Sequence, residues 1–101
     1  MPSGVIVRIR LLQAAKTSLD KAMTYIAEQE GEEAAKKLYV YIRTQIDNLL
    51  DHPYRGRTGQ VSGTRELVIG KYPFIIPYRV KDGELQILDV FHTSRKPPKS
   101  W

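Results

Sequence analysis

The sequence contains no cysteine. This absence excludes disulfide bonds, thiolate nucleophiles and sulfur-ligated metal sites, and it fits a reducing compartment. Histidine is scarce, and neither His52 nor His92 has metal-ligand spacing with carboxylates. No phosphate-binding glycine loop is present either, because Gly56, Gly59 and Gly63 do not match that pattern and lack its following lysine. We therefore expect neither a metal nor another cofactor.

Long apolar runs are also missing. The uncharged apolar segments are far shorter than the roughly 20 residues that span a bilayer. Arg8 and Arg10 lie inside the apolar N-terminal stretch Met1–Leu12, whereas the apolar region of a signal peptide is not interrupted by charge. We therefore expect a cytoplasmic protein with no membrane partner. A chain of 101 residues is long enough for one domain, residues 1–101, with a small core, so any chemistry is expected in a shallow surface site.

Acidic residues are few in the second half of the chain. Residues 1–52 hold seven Lys and Arg against seven Asp and Glu, whereas residues 53–101 hold nine against four. The whole net charge of +5 therefore lies after residue 52. This asymmetry indicates an acidic partner, such as nucleic acid, a nucleic-acid machine or an acidic protein segment. Solubility alone is the other explanation of so modest an excess.

The hydrophobic pattern of the first half predicts a strand followed by two helices. Val5–Leu11 is β-branched at its start and alternates apolar and polar residues at its end, which predicts a strand. Apolar residues at spacings of three and four predict helices over Gln13–Gln29 and Glu32–Asp51. Gly31 separates the helices and Pro53 ends the second, so the two form an antiparallel hairpin with a very short turn.

The second half predicts a loop, three strands and a tail. An Arg- and Gly-rich loop spans Tyr54–Gly63, and the basic tail spans Thr93–Trp101. Asp82-Gly83 is a hairpin signal, and Pro77 cannot donate a ladder hydrogen bond, so it is expected at an edge or a bulge. The order predicts an α+β fold with the helical hairpin packed on one face of a twisted, mostly antiparallel sheet. The three strands are expected at Arg65–Ile69, Phe74–Val80 and Glu84–Phe91.

His92 follows the last predicted strand, close to Arg95. It could act as a general acid or base in phosphodiester cleavage, since histidine titrates near neutral pH. It could equally form a local hydrogen bond at the end of the strand.

Arginines lie on or just after three consecutive predicted strands, at Arg65, Arg79 and Arg95. Adjacent strands could gather them into one cationic patch that binds a phosphate or acidic side chains of a protein partner. Internal pairs of Arg65 or Arg79 with Glu66 or Asp89 are the alternative.

Further basic residues and one aromatic lie in the loops and the tail. They suit contact with RNA or the ribosome, and ordinary solvation is the alternative. The residues expected to contact a target or an inhibitor are Arg55, Arg57, Arg65, Lys71, Arg79, Arg95, Lys96 and Trp101.

Four segments of the second half follow one another in a recognisable order and spacing. They are His52-Pro53-Tyr54, Gly63–Ile69, Tyr72–Val80 and Ile87–Arg95. This pattern resembles the toxins of the ParE/RelE superfamily and is closer to its ParE-like members. The helical first half agrees in length and order, so the resemblance covers nearly the whole chain.

The resemblance implies the toxin half of a type II toxin–antitoxin module, of the kind that stabilises plasmids and arrests growth. It implies a compact RelE/ParE-like fold with two N-terminal helices on a twisted sheet. It also implies a cognate acidic antitoxin that wraps the toxin and folds as it binds, with operator DNA contacted only through the antitoxin. ParE-type members act on DNA gyrase, whereas RelE-type members cut mRNA in the ribosomal A site, and the fold alone does not choose between these targets.

The central strands favour the gyrase target. RelE-type nucleases carry Lys, Arg and Tyr there, whereas Leu67–Ile69 and Phe74–Pro77 are almost wholly apolar, and Ile75 or a neighbour replaces an arginine of those nucleases. We therefore expect a gyrase inhibitor that is not itself an enzyme. One alternative is a ribosome-dependent mRNA endoribonuclease, and another is a degenerate, non-toxic partner of an antitoxin. The acting groups of the nuclease would be Arg65, His92 and Arg95.

Overall fold

The computed structural model describes Ile6, residues 8–96 and Trp101. The predicted order of elements holds within these residues, with a short strand added in the loop that was expected to contain none. Val5 and Val7 of the predicted first strand lie outside the described residues. The elements are β1 (Arg8–Leu11), α1 (Gln13–Glu30), α2 (Glu32–Asn48), β2 (Arg57–Thr58), β3 (Arg65–Ile69), β4 (Phe74–Lys81), β5 (Glu84–Ile87) and β6 (Phe91–His92).

A single residue, Gly31, connects the two helices. Its φ of 97° is strained for a residue with a Cβ. Its N–H donates to the carbonyl of Ala27 at 3.0 Å, and its carbonyl accepts from the N–H of Ala35 at 3.3 Å. The hairpin turn is therefore as short as predicted. The second helix ends at Asn48 rather than at the predicted Asp51, and turns follow directly after Asn48. None of the described helices combines the length and the apolar character needed to cross a bilayer.

Strand β4 is central in a sheet with the order β1-β5-β4-β3-β2, and β6 pairs with β4 as well. The pairing of β1 with β5 is parallel and the others are antiparallel. The β4–β5 hairpin turns at Asp82 and Gly83, whose φ angles are 54° and 73°, as a tight hairpin requires. The mostly antiparallel sheet agrees with the prediction.

The core lies between the helical hairpin and one face of the sheet. Alternation along each strand directs every second side chain to this face. The opposite face, which the hairpin does not cover, is called the helix-free face below. The buried core residues are Ala15, Leu19, Leu38, Ile42, Ile46 and Leu49 from the helical region and Leu67, Ile69, Phe74, Ile76, Tyr78, Leu85, Ile87 and Val90 from the sheet.

A β-bulge separates β5 from β6, so the last predicted strand is not continuous. Tyr78 lies opposite Ile87, and Phe74 lies opposite His92. The stretch between Ile87 and His92 is thus one residue longer than the stretch of β4 that it faces. The extra residue reverses the alternation. It directs Phe91 to the helix-free face and His92 to the side of the helices.

Pro77 occupies the position of β4 that faces the bulge. Its carbonyl accepts from the N–H of Leu88 at 2.9 Å, so its ring nitrogen points toward the same irregular segment. A residue without an N–H is tolerated there because the ladder is already interrupted. The expectation of an edge or a bulge for Pro77 is therefore met by a bulge.

Candidate functional site

Tyr78 anchors the loop that follows α2. Its hydroxyl donates to the carbonyl of Pro53 at 2.8 Å and accepts from the N–H of Gly56 at 2.8 Å. Burial raises the pKa of the Tyr78 phenol, against the opposing effects of the Gly56 hydrogen bond and the Arg65 charge. Gly56 is needed for this close approach, since a Cβ there would lie 2.6 Å from Cε1 of Tyr78.

Arg65 supports the same loop from β3. Its Nη1 donates to the carbonyls of Gly56 at 2.8 Å and Tyr54 at 3.3 Å. Its guanidinium carbon also lies 5.0 Å from the centroid of the Tyr54 ring, within the range of a cation–π contact. The loop is therefore held at two points. It presents Tyr54, which is 67% exposed, together with the exposed Arg55.

Two other predicted arginines bind neighbours on the helix-free face. Arg57 donates to Oε1 of Glu66 from Nη2 at 3.0 Å and from Nε at 3.1 Å. Arg79 donates from Nε to the side-chain oxygen of Gln86 at 2.7 Å. Internal pairing was one of the predicted alternatives, but Glu66 pairs with Arg57 rather than with Arg65 or Arg79.

The predicted patch of Arg65, Arg79 and Arg95 does not form. Arg65 lies beside the core on the helix side, Arg79 lies on the helix-free face, and Arg95 follows β6. The proposed nuclease set is also divided, because the β4 partners of Arg65 and His92 are four residues apart. That separation is about 13 Å along a strand. The two side chains do not converge on one phosphate.

A groove of about 840 Å³ runs between the helical hairpin and the start of β4. Its base is apolar and includes Ala22, Ile26, Phe74 and Val90. Its edges carry more positive than negative charge and one aromatic residue that is 61% exposed. These edge residues are Lys21, Lys37, Arg95, Glu30 and Tyr25.

His92 lines this groove together with Arg95. Its Nδ1 accepts from the N–H of Ser94 at 3.1 Å and lies 2.7 Å from the Ser94 hydroxyl. The imidazole packs edge-on against Phe74, with the ring centroids 5.2 Å apart. His92 therefore makes the local hydrogen bond at the strand end that was one of its two predicted roles, within a groove that a ligand could enter.

The remaining predicted residues lie apart from one another. The Nζ atom of Lys71 lies 5.3 Å from the Tyr41 ring centroid and 5.8 Å from that of Tyr72, which joins the β3–β4 turn to α2. Trp101 packs edge-on against Phe91 with centroids 5.3 Å apart. Lys96 is exposed beyond β6.

The sequence prediction missed a group of four cations on the helix-free face. Arg8 and Arg10 of β1 and Arg79 and Lys81 of β4 lie on either side of β5. The alternation of β1 directs its two arginines to one face, but the parallel pairing of β1 with β5 had no signal in the local sequence. Within the described part of the chain, no three His, Asp or Glu side chains are grouped as metal ligands.

Comparison with known proteins identifies the family. The model of the ParE toxin of the type II toxin–antitoxin system, parDE, matches residues 9–97. The chain belongs to the ParE toxin family. The predicted family is thereby confirmed. Membership makes the chain the toxin half of a type II module whose partner is a ParD antitoxin.

Individual relatives agree with this assignment. The putative toxin Y4kP of Sinorhizobium fredii is 38% identical over 92 residues, which cover 91% of this chain and 94% of the relative. Toxin RelE2 of Caulobacter vibrioides is 36% identical over 62 residues, covering 61% and 68%. A solved chain of the chromosomal ParDE system from P. aeruginosa matches with a TM-score of 0.80 and 29% identity, covering 89% of this ParE-family chain and 98% of that one. The predicted fold is confirmed by this match.

Proposed function

We propose that this ParE-family toxin arrests growth in the cytoplasm by binding and inhibiting DNA gyrase, without catalysing a reaction of its own. The observation that carries the proposal is the arrangement of the central strands. Their facing pairs Leu67–Ile76 and Val68–Ile75 are apolar, and Arg65, at the start of β3, binds loop carbonyls. RNA cleavage needs a base, an acid and positive charge around one phosphate, and the described central strands do not supply that set.

The loop after α2 is the proposed contact with gyrase. Tyr54 and Arg55 are exposed, and tyrosine and arginine are the residue types that contribute most often to binding hot spots. The contacts of Tyr78 and Arg65 fix this loop before any partner arrives. Such rigidity reduces the entropy lost on association.

The groove is the proposed site of the ParD antitoxin. Its apolar base suits the apolar side of an amphipathic helix. Lys21, Lys37 and Arg95 at the edges outnumber Glu30, which favours an acidic segment. The antitoxin then continues around the sheet and the helical hairpin, and any operator DNA is bound through the antitoxin.

A supercoiling assay with purified gyrase tests the proposed target. We expect inhibition at micromolar toxin, relieved by an equimolar amount of antitoxin. Arg55→Ala should weaken the inhibition, whereas Lys16→Ala, which removes an exposed cation from α1, should not. Full supercoiling activity at micromolar wild-type toxin would remove the gyrase proposal.

Ribosome-dependent RNA cleavage is the second candidate, favoured by the shared position of His92 and Arg95 in the groove. Primer extension on cellular mRNA after toxin induction decides between the two. We expect no new cuts. Cuts that appear with the wild type and vanish in His92→Ala would establish the nuclease instead. Normal growth after expression without antitoxin would indicate a degenerate, non-toxic partner.

A charge-reversal variant tests the antitoxin site separately. Lys21→Glu/Lys37→Glu should slow association with the antitoxin and reduce the salt dependence of binding, because charges at the edge of an interface act mainly on the association rate. Lys16→Glu/Lys36→Glu is the matched control, since both of its sites are exposed and lie outside the groove. An equal effect in both variants would exclude the groove as the antitoxin site.

A further inference from the structure

We propose that the helix-free face binds the phosphate backbone of duplex DNA through four cations that surround Glu84 and Gln86. The proposal rests on the proposed gyrase function, because a gyrase-bound toxin lies next to the DNA that gyrase holds. It assigns the toxin a DNA contact of its own, separate from any contact made by the antitoxin. The four cations, called the cation frame below, are Arg8, Arg10, Arg79 and Lys81.

The register of three strands creates the cation frame. Glu84 of β5 lies between Arg8 of β1 and Lys81 of β4. Gln86 lies in the same way between Arg10 and Arg79. Strands are about 4.8 Å apart, and alternate residues of one strand are about 7 Å apart. The backbone positions of the cations therefore form a rectangle of about 7 by 10 Å.

Hydrogen bonds hold much of the cation frame in place. Arg8 contacts Oε2 of Glu84 from Nε and Nη2, both at 2.6 Å, and Nη1 of Arg10 lies 3.6 Å from Oε1. The Gln86 amide donates to Oε1 of Glu84 at 2.9 Å, and its oxygen accepts from Arg79 at 2.7 Å. One network thus connects three strands and orients three guanidinium groups in advance of binding.

Glu84 stays charged beneath these groups. The hydrogen bond from Gln86, followed by that from Arg8, holds the pKa of the Glu84 carboxyl below its usual value. The Glu84 side chain is only 7% exposed, whereas the side chains of Arg8 and Arg10 remain 70% and 60% exposed. The carboxylate therefore faces the protein side of the network, and the guanidinium groups of β1 remain accessible to an anion in solvent.

Charge and polarity together favour a phosphate backbone as the ligand. The cation frame and its one carboxylate have a net charge of +3, and Asp82 follows in the adjoining turn. None of the six residues at these positions is apolar, whereas the centre of a protein interface is usually depleted of charged residues and enriched in aromatic ones. Duplex DNA carries one negative charge per about 1.7 Å of its axis and releases counterions when cations bind it.

Fluorescence anisotropy with the full-length toxin, freed of antitoxin, tests this contact. The probe is a labelled duplex of about 20 base pairs without operator sequence, titrated at about 50 to 200 mM salt. Arg10→Gln/Lys81→Gln removes two cations and leaves Arg8 and Gln86 on Glu84. For this variant, we expect the slope of the logarithm of the binding constant against the logarithm of the salt concentration to be shallower by about 1.8, at about 0.9 per lost phosphate contact. We also expect its affinity at low salt to fall about tenfold.

Lys16→Gln/Lys36→Gln is the matched control, since it removes the same charge from exposed helical positions. An equal loss in the control would show that net charge alone is responsible, and would overturn the proposal. So would the absence of wild-type binding at micromolar toxin. Tighter binding to a single-stranded RNA of equal length would assign the cation frame to RNA. The urea midpoint of each variant confirms that it is folded.

The supercoiling assay separates this proposal from the gyrase proposal. Wild-type toxin that inhibits gyrase without binding the duplex would refute the DNA contact and leave the gyrase target intact. Wild-type toxin that binds the duplex through the cation frame but leaves gyrase active would refute the gyrase target and leave the DNA contact intact. If both proposals are correct, Arg10→Gln/Lys81→Gln should inhibit gyrase less strongly than the control variant does.

Discussion

Replacing Tyr78 with phenylalanine removes one hydroxyl group and deprives two backbone groups of their partner. The hydroxyl connects the carbonyl of Pro53 to the N–H of Gly56. Gly56 is buried and Pro53 is partly buried, so water replaces the lost bond more readily at the carbonyl. The perturbation is otherwise small, because the aromatic ring stays in the core.

The size of the effect follows from these two partners. An unsatisfied buried N–H at Gly56 costs about 1–3 kcal/mol, and the net loss of the bond to the Pro53 carbonyl costs about 1 kcal/mol. Tyr78→Phe should therefore lower the free energy of unfolding by about 2–4 kcal/mol. In a domain of this size, 1 kcal/mol corresponds to about 4–8 °C, so we expect the Tm to fall by more than about 8 °C.

Urea denaturation followed by circular dichroism measures this change. Tyr25→Phe is the control, because Tyr25 is 61% exposed and the loss of its hydroxyl should change the free energy of unfolding by less than about 0.5 kcal/mol. An equally small change in Tyr78→Phe would refute the anchoring role of the hydroxyl.

The pH dependence gives a second readout for Tyr78. Its pKa is raised in the folded state, so its contribution to stability is fully present below the unfolded-state value of about 10.0 and is lost as the pH rises through the folded-state value. The stability difference between wild type and Tyr78→Phe should therefore narrow above pH 10.0. A constant difference across that range would contradict the burial of the phenol.

Three further predictions concern the loop and the sheet. Gly56→Ala should cost about 1–3 kcal/mol through overpacking, whereas Gly70→Ala, where no atom lies within 4 Å of the added Cβ, should cost less in the same urea experiment. Arg65→Lys should lose about 1–2 kcal/mol, because an ammonium group does not reproduce the contacts of the planar guanidinium; unchanged stability with lost toxicity would instead indicate direct contact with the target. Glu84→Gln should remove a stabilisation that is present above the unfolded-state carboxyl pKa of about 4.5 and lost as the pH falls through the lower folded-state value. Thermal melts of the wild type and Glu84→Gln between neutral and acidic pH check this prediction. A difference in Tm between the two proteins that does not vary with pH would contradict it.

Local pattern was sufficient for the helices and for the tight hairpin. Gly31 and the Asp82-Gly83 pair act through their own backbone angles, so their effect is visible in a short stretch of sequence. The bulge had no such signal. Ile87–Phe91 is apolar at almost every position. When the residues that face both sides of the sheet are apolar, the sequence does not reveal a shift of one residue in the alternation.

The arrangement of the candidate site was not predictable from the sequence. The sequence pointed to Arg65 for charge pairing or anion binding, but Arg65 contacts carbonyls because the loop after α2 folds back over β3. The cation frame requires β1 to pair with β5, across more than 70 residues of sequence. Such long-range pairing is decided by tertiary packing, which a local pattern does not encode.

The bulge between β5 and β6 holds one residue of chain length in reserve without changing what either surface displays. Deleting Asp89 would restore an uninterrupted ladder and leave Phe91 opposite Ile75 and His92 opposite Phe74, the pairs that they already form. The groove would keep its imidazole, and the helix-free face would keep its phenyl ring. A lineage could therefore lose one residue here without exchanging side chains between the two surfaces, whereas the same loss within a regular strand would turn over every residue beyond it.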